Sequence, residues 1–174
     1  MSSGFRQVAR VGACHVLLSM ALAQLPAWAG ELPAAAAPTP SEVTGKSPAD
    51  VVKDAPKGTL RNPYSPDQEE IIKQGHELFM SYSCSGCHGG TGGGGMCPPL
   101  NGDVWFFGIQ DDTLFRLISL GSIDLQKAGF EHLGGPSGMP MPPFGTLIKS
   151  DDELWKILAW VRSVYKGDPK KKTW

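Results

Sequence analysis

Residues 84–88 read Cys-Ser-Gly-Cys-His, and no other stretch restricts the fold of this chain so tightly. Two thiols separated by two small residues, with an imidazole directly after, must share one turn of backbone and face one partner. That spacing is the attachment pattern for a c-type haem. Cys84 and Cys87 can each form a thioether with one vinyl group, and small Ser85 and Gly86 let the backbone turn between them. His88 then stands beneath the iron as a proximal nitrogen ligand. Two rival readings are weaker. A thioredoxin-like pair needs a βαβ setting, and no strand pattern precedes Cys84. A structural zinc site of Cys84, Cys87, His88 and Cys97 needs a second, closely spaced ligand pair, and no further ligand sits near Cys97 in the sequence.

The N-terminus carries an export pattern. Arg6 and Arg10 form a positive region, Val11 to Leu25 is largely apolar, and Ala27-Trp28-Ala29 is a small-x-small cleavage site. Residues 1–29 therefore read as a signal peptide cut after Ala29. The run is too short and too interrupted for a membrane anchor, which needs about 20 mostly apolar residues. The expectation is a periplasmic protein with no membrane span in the mature chain. Cys14 leaves with the signal, so Cys97 is the odd thiol. Its expected state is buried and inert, because a free cysteine packs as a small apolar side chain. Loss of Arg6 and Arg10 turns the formal net charge of −1 into −3. That balance is too mild to argue for nucleic acid.

Residues 30–66 hold seven prolines and no periodicity, and read as a Pro/Ala-rich flexible arm. Residues 67–167 read as the folded domain, and residues 168–174 as a basic tail. Ser65 or Asp67 can cap a first helix, with Pro66 in its first turn and Glu69 and Glu70 near the positive dipole end. That helix carries Ile71, Ile72, Gly75, Leu78 and Phe79 and ends near Tyr82. The glycine run 89–95 cannot be regular structure. It is expected to let the backbone pass close to a haem edge. A phosphate cradle is excluded there, since no Gly-Lys-Ser/Thr follows. A short helix from Asp111 or Asp112 runs through Leu120 and stops at Gly121, followed by a polar loop over 122–138. The last helix is capped by Ser150 or Asp151. Its apolar stripe is Leu154, Ile157, Leu158, Val161 and Val164, and Gly167 and Pro169 end it. The fold class is all-α: three or more helices with long Gly/Pro loops around one covalently bound haem. So small a core is thin on its own, and a buried haem would supply its apolar centre.

A second axial ligand separates electron carriers from haem proteins that bind small molecules. The segment Ser137-Gly138-Met139-Pro140-Met141-Pro142-Pro143-Phe144-Gly145 offers a soft thioether, and His/Met ligation raises the potential. Met141 and Met139 are both candidates. His132 is a weaker rival, and Met96 lies too close to the attachment site.

With these residues in hand, the chain resembles the class I c-type cytochromes. The resemblance covers about residues 67–167. It rests on Gly75 and Phe79, Cys84 to His88, Pro98-Pro99-Leu100, Met141-Pro142-Pro143-Phe144-Gly145 and Ala159-Trp160-Val161. It implies the small cytochrome c fold and crossing of the first and last helices at Gly75, Phe79, Ile157 and Trp160. It also implies a hydrogen bond from His88 to the Pro98 carbonyl, and Met141 rather than Met139 as metal ligand. Cys97 stands where the family commonly has glycine.

The ending 159–169, the glycine-rich loop and Asp103-Val104-Trp105 are similar to the cytochrome cL-like electron acceptors of periplasmic quinoprotein (methanol) dehydrogenases. Haem would then be held by Cys84, Cys87, Pro98, Leu100 and Trp105, with the Trp105 indole offered to a propionate or used in core packing. The implied donor is a quinoprotein (PQQ-type) dehydrogenase, and the implied acceptor is another cytochrome or a terminal oxidase. The protein would carry single electrons and transform no substrate. The alternative class is a haem enzyme or gas-binding sensor with an open distal site.

Overall fold

A computed structural model describes residues 39–133 and 139–167, all within one compact unit. The signal peptide, residues 30–38, Ser137, Gly138 and the basic tail lie outside the described residues. The described residues form five helices and no strand: α1 (Pro48–Asp54), α2 (Glu69–Ser81), α3 (Ser85–His88), α4 (Asp111–Lys127) and α5 (Asp151–Val164).

Helix α5 is the spine of the core. The Ser150 hydroxyl accepts the Glu153 amide at 3.4 Å, and three acids occupy the first turn. Leu154, Trp155, Ile157, Leu158, Ala159, Trp160 and Val161 are all buried. The helix stops at Val164, short of Gly167. Tyr165 leaves it to pack against Trp105, with ring centroids 4.4 Å apart and the ring planes tilted by 49°.

Helix α2 crosses α5 at Gly75. A Cβ on Gly75 would lie 2.1 Å from the Lys156 carbonyl oxygen, so only glycine permits this approach. One turn on, the Phe79 ring packs 4.3 Å from Trp160. The expected cap of α2 is displaced. Gln68 takes the N-cap position, and its side chain accepts the Ser65 amide at 2.9 Å, closing a turn before the helix.

The flexible-arm reading of residues 30–66 is corrected over 39–66. Ser47 caps α1, Pro48 begins it, and Val51, Val52 and Leu60 join the core. Buried charge holds the segment in place. The Arg116 guanidinium donates to the carbonyls of Val52 (3.2 Å), Ala55 (2.8 Å) and Pro56 (2.9 Å), and its Nε meets Asp112 at 2.9 Å. Asp112 in turn accepts the Leu60 amide. The fully buried Asp151 carboxylate accepts the Thr44 amide, the Thr44 hydroxyl and the Gly45 amide at 2.7–2.8 Å.

Helix α4 breaks at Gly121, as expected of that residue, but does not end there. Gly121 sits at φ 75, ψ 165, and a second helical stretch continues to Lys127. The loop expected over 122–138 therefore begins only at Ala128.

Candidate functional site

The chain reaches the Cys-Ser-Gly-Cys-His turn through Ser83. Ser83 is the one non-glycine of the described residues with positive φ (61°), and it closes α2 with Cys84 N–H donating to the Phe79 carbonyl at 3.1 Å. Helix α3 is a single turn, with the His88 amide bonded back to the Cys84 carbonyl at 3.0 Å. Cys84, the N-cap of α3, and Cys87 within it thus share one helical turn, as their spacing requires.

The glycine run folds back beneath this turn. Gly94 N–H donates to the His88 carbonyl at 2.8 Å, Leu100 N–H to Gly92 at 2.8 Å, and Cys97 N–H to Cys87 at 3.2 Å. A Cβ on Gly89, at φ 73, would lie 2.9 Å from the Gly94 carbonyl oxygen. No glycine of the run lines the cavity described below. What the run does in this structure is return the backbone to His88. It delivers the Pro98 carbonyl 3.0 Å from His88 Nδ1. A carbonyl only accepts, so Nδ1 carries the proton and Nε2 keeps a free lone pair for a metal. Burial lowers the His88 pKa and so favours the neutral ring, an effect that the Pro98 carbonyl partly offsets. Burial also pushes the Cys84 thiol up to about 11.

An apolar cavity of about 220 Å³ opens above this turn. Cys84 and His88 line it from the motif, Pro98, Leu100 and Trp105 from the following loop, and Ile157, Leu158 and Val161 from α5. Met139 and Met141 both line it, and so does His132, whose ring lies near those of Phe106 and Phe107. Cys87 is not among the lining residues; its neighbour is Cys97. Among the described residues, no group of three or more His, Cys, Asp or Glu side chains is arranged to hold a metal ion. Cys84, Cys87, His88 and Cys97 therefore do not converge as a zinc site. Thiols, a neutral imidazole with one free nitrogen, thioethers and apolar walls fit a covalently attached haem.

Three details refine the sequence reading. The Trp105 indole N–H is bonded to the Leu100 carbonyl at 3.0 Å, so it is not free for a propionate; the ring packs in the core. Cys97 is buried, and burial with the adjacent Cys87 thiol raises its pKa. Its φ is not positive, so cysteine fits where the family commonly has glycine. Met141 is half-buried and its backbone is bonded to Ser122, whereas Met139 is 58% exposed.

Sequence reasoning missed the walls contributed by Phe106, Phe107, Leu117, Ile118 and Ile123. The aromatic pair after Trp105 and the helical spacing of α4 carried that signal. Ile123 fell in a stretch read as loop.

Residues 70–161, more than half of the chain, match the protein family described as cytochrome C oxidase, cbb3-type, subunit III. Over 110 residues the chain is 31% identical to cytochrome c-L of Methylorubrum extorquens, covering 62% of this chain and 47% of that relative. It is 29% identical over 100 residues to the cbb3-type cytochrome c oxidase subunit FixP of Sinorhizobium medicae, covering 56% and 31%. A crystal structure of cytochrome CL from the marine methylotrophic bacterium Methylophaga aminisulfidivorans overlays with a TM-score of 0.43 at 36% identity, covering 59% of this chain and 58% of that one. The chain spans about half the length, or less, of the relatives it matches.

Proposed function

Because the chain belongs to the c-type cytochrome family described as cytochrome C oxidase, cbb3-type, subunit III, and carries one covalently bound haem c, we propose that it is a periplasmic carrier of single electrons. It takes them from a quinoprotein alcohol dehydrogenase, methanol dehydrogenase first among them, and passes them to a downstream cytochrome or oxidase. The observation that carries this reading is that His88 and Met141 line one apolar cavity together with Cys84.

Cys84 and Cys87 would hold the group through thioether bonds, and His88 Nε2 and the Met141 thioether would be its iron ligands. Bound there, haem c supplies an iron that accepts and releases one electron. The Pro98 carbonyl fixes the tautomer and orientation of His88. Apolar side chains of α4 and α5, with Pro98, Leu100 and Trp105, would wall the group. Export to the periplasm is supported by the charged, apolar and small-residue pattern of residues 1–29. The donor is supported by the likeness to cytochrome c-L and by the motifs 103–105 and 159–169. Its encounter with the donor is small and short-lived, as is usual for redox pairs.

Stopped-flow reduction by purified quinoprotein methanol dehydrogenase tests the donor. Rapid reduction supports it. No reduction by that enzyme, with fast reduction by another donor, removes it. Rapid carbon monoxide binding by the reduced protein without denaturant would instead mark an open distal position.

A further inference from the structure

The break in α4 and the methionine segment fit one another group by group. In an unbroken helix the Ile118 carbonyl would accept the Ser122 amide. At Gly121 the chain takes φ 75, ψ 165, a region open essentially to glycine alone, and that bond is lost. The groups so released do not stay orphaned. Ser122 N–H donates to the Met141 carbonyl at 2.9 Å, the Ile118 carbonyl accepts Phe144 N–H at 2.9 Å, and the Ser119 carbonyl accepts Gly145 N–H at 3.0 Å. The Ser122 hydroxyl adds a fourth bond, accepting Met141 N–H at 3.0 Å.

The segment Met139 to Gly145 contains three prolines and so has only four backbone N–H groups. Those of Met141, Phe144 and Gly145 all go to the broken helix. The fit is also steric. A Cβ on Gly121 would lie 2.7 Å from the Met141 carbonyl oxygen and 2.9 Å from the Pro143 nitrogen. Met141 is therefore held at both its N–H and its carbonyl by one residue, Ser122, which is itself buried.

We propose that the Gly121–Ser122 break is the positioning element that presents Met141, and not Met139, as the axial thioether, and that governs how readily this ligand lets go. The inference rests on the reading of Met141 as the ligand opposite His88. Gly121 acts through the Met141 segment; Ser122 also borders the cavity, but its hydroxyl oxygen and its amide are both bonded to the Met141 backbone.

The test uses the haem-loaded full chain with Ser122→Ala, Ser122→Thr and Gly121→Ala, each checked for covalent haem content. The readouts are the sulfur-to-iron charge-transfer band of the oxidised protein and the rate at which the reduced protein captures carbon monoxide. Ser122→Ala removes one neutral hydrogen bond and is expected to raise the capture rate about fivefold. Ser122→Thr keeps the hydroxyl and restores the wild-type rate, a rescue that a merely packed side chain would not give. Gly121→Ala is expected to lose the band while retaining haem. A wild-type band with unchanged capture in Ser122→Ala overturns the positioning role alone. A wild-type protein without the band overturns the axial reading, and this inference with it.

Discussion

Gly75 lies against the backbone of Lys156 so closely that a Cβ at position 75 would come within 2.1 Å of the Lys156 carbonyl oxygen. Backbone cannot move aside as a flexible side chain can. Gly75→Ala is expected to cost at least about 3 kcal/mol, at or above the upper end of ordinary overpacking. Denaturant unfolding of the haem-loaded protein measures it. A loss below about 1 kcal/mol would show that α2 and α5 can separate without penalty.

Arg116 ties residues 52–56 to α4 while paired with Asp112, both side chains being buried. Removal of one partner strands the other charge in the core. Arg116→Ala is expected to destabilise the fold by about 3–5 kcal/mol. It should also raise amide exchange over residues 44–60 in particular. Exchange that rises uniformly across the chain would contradict the clamp.

The Tyr64 hydroxyl bonds to the Asp152 carboxylate. Burial, and then Asp152, push Tyr64 up to about 12. In the unfolded chain a tyrosine titrates near about 10. The contribution of the neutral phenol is therefore complete below about pH 10 and lost as pH climbs to about 12. Burial alone would raise Asp152, but Lys156 at 2.8 Å and Tyr64 outweigh it and hold the pKa low. That contribution is present above the ordinary aspartate range and disappears as pH falls through the depressed value. Tyr64→Phe should flatten the alkaline limb of the stability profile. An unchanged limb between pH 10 and 12 would count against the pairing.

Cys97 is covered, and burial disfavours its thiolate whether or not Cys87 carries a thioether. With Cys84 and Cys87 consumed as thioethers, the mature protein should resist iodoacetamide near neutral pH when folded. It should take up one label per chain when denatured. Two or three labels under denaturing conditions would mean that attachment through both thiols is wrong.

What could be read from sequence is what local pattern encodes. The two-residue gap of Cys84 and Cys87 required a single turn, and α3 is one. The acids at 151–153 and the hydroxyl of Ser150 announced the start of α5. The close crossing at Gly75 and Phe79 came from the resemblance to class I cytochromes and not from local pattern. What escaped depends on distant partners. Helix α1 spans under two turns, too few for periodicity. It is held by Arg116, some sixty residues away, while Asp151 binds Thr44 across 107 residues. Gly121 was correctly a break, but a glycine in sequence does not say whether helix resumes. It resumes because the methionine segment satisfies the groups the break exposes. The indole of Trp105 could serve a propionate or a carbonyl, and only the position of Leu100 decides between them.

The most direct test of His88 and Met141 as joint axial ligands is the sulfur-to-iron charge-transfer band of the oxidised protein in wild type, Met141→Ala and Met139→Ala. The account predicts a band in wild type and in Met139→Ala, and its loss in Met141→Ala with covalent haem retained. A band that survives Met141→Ala, or vanishes in Met139→Ala, would contradict it.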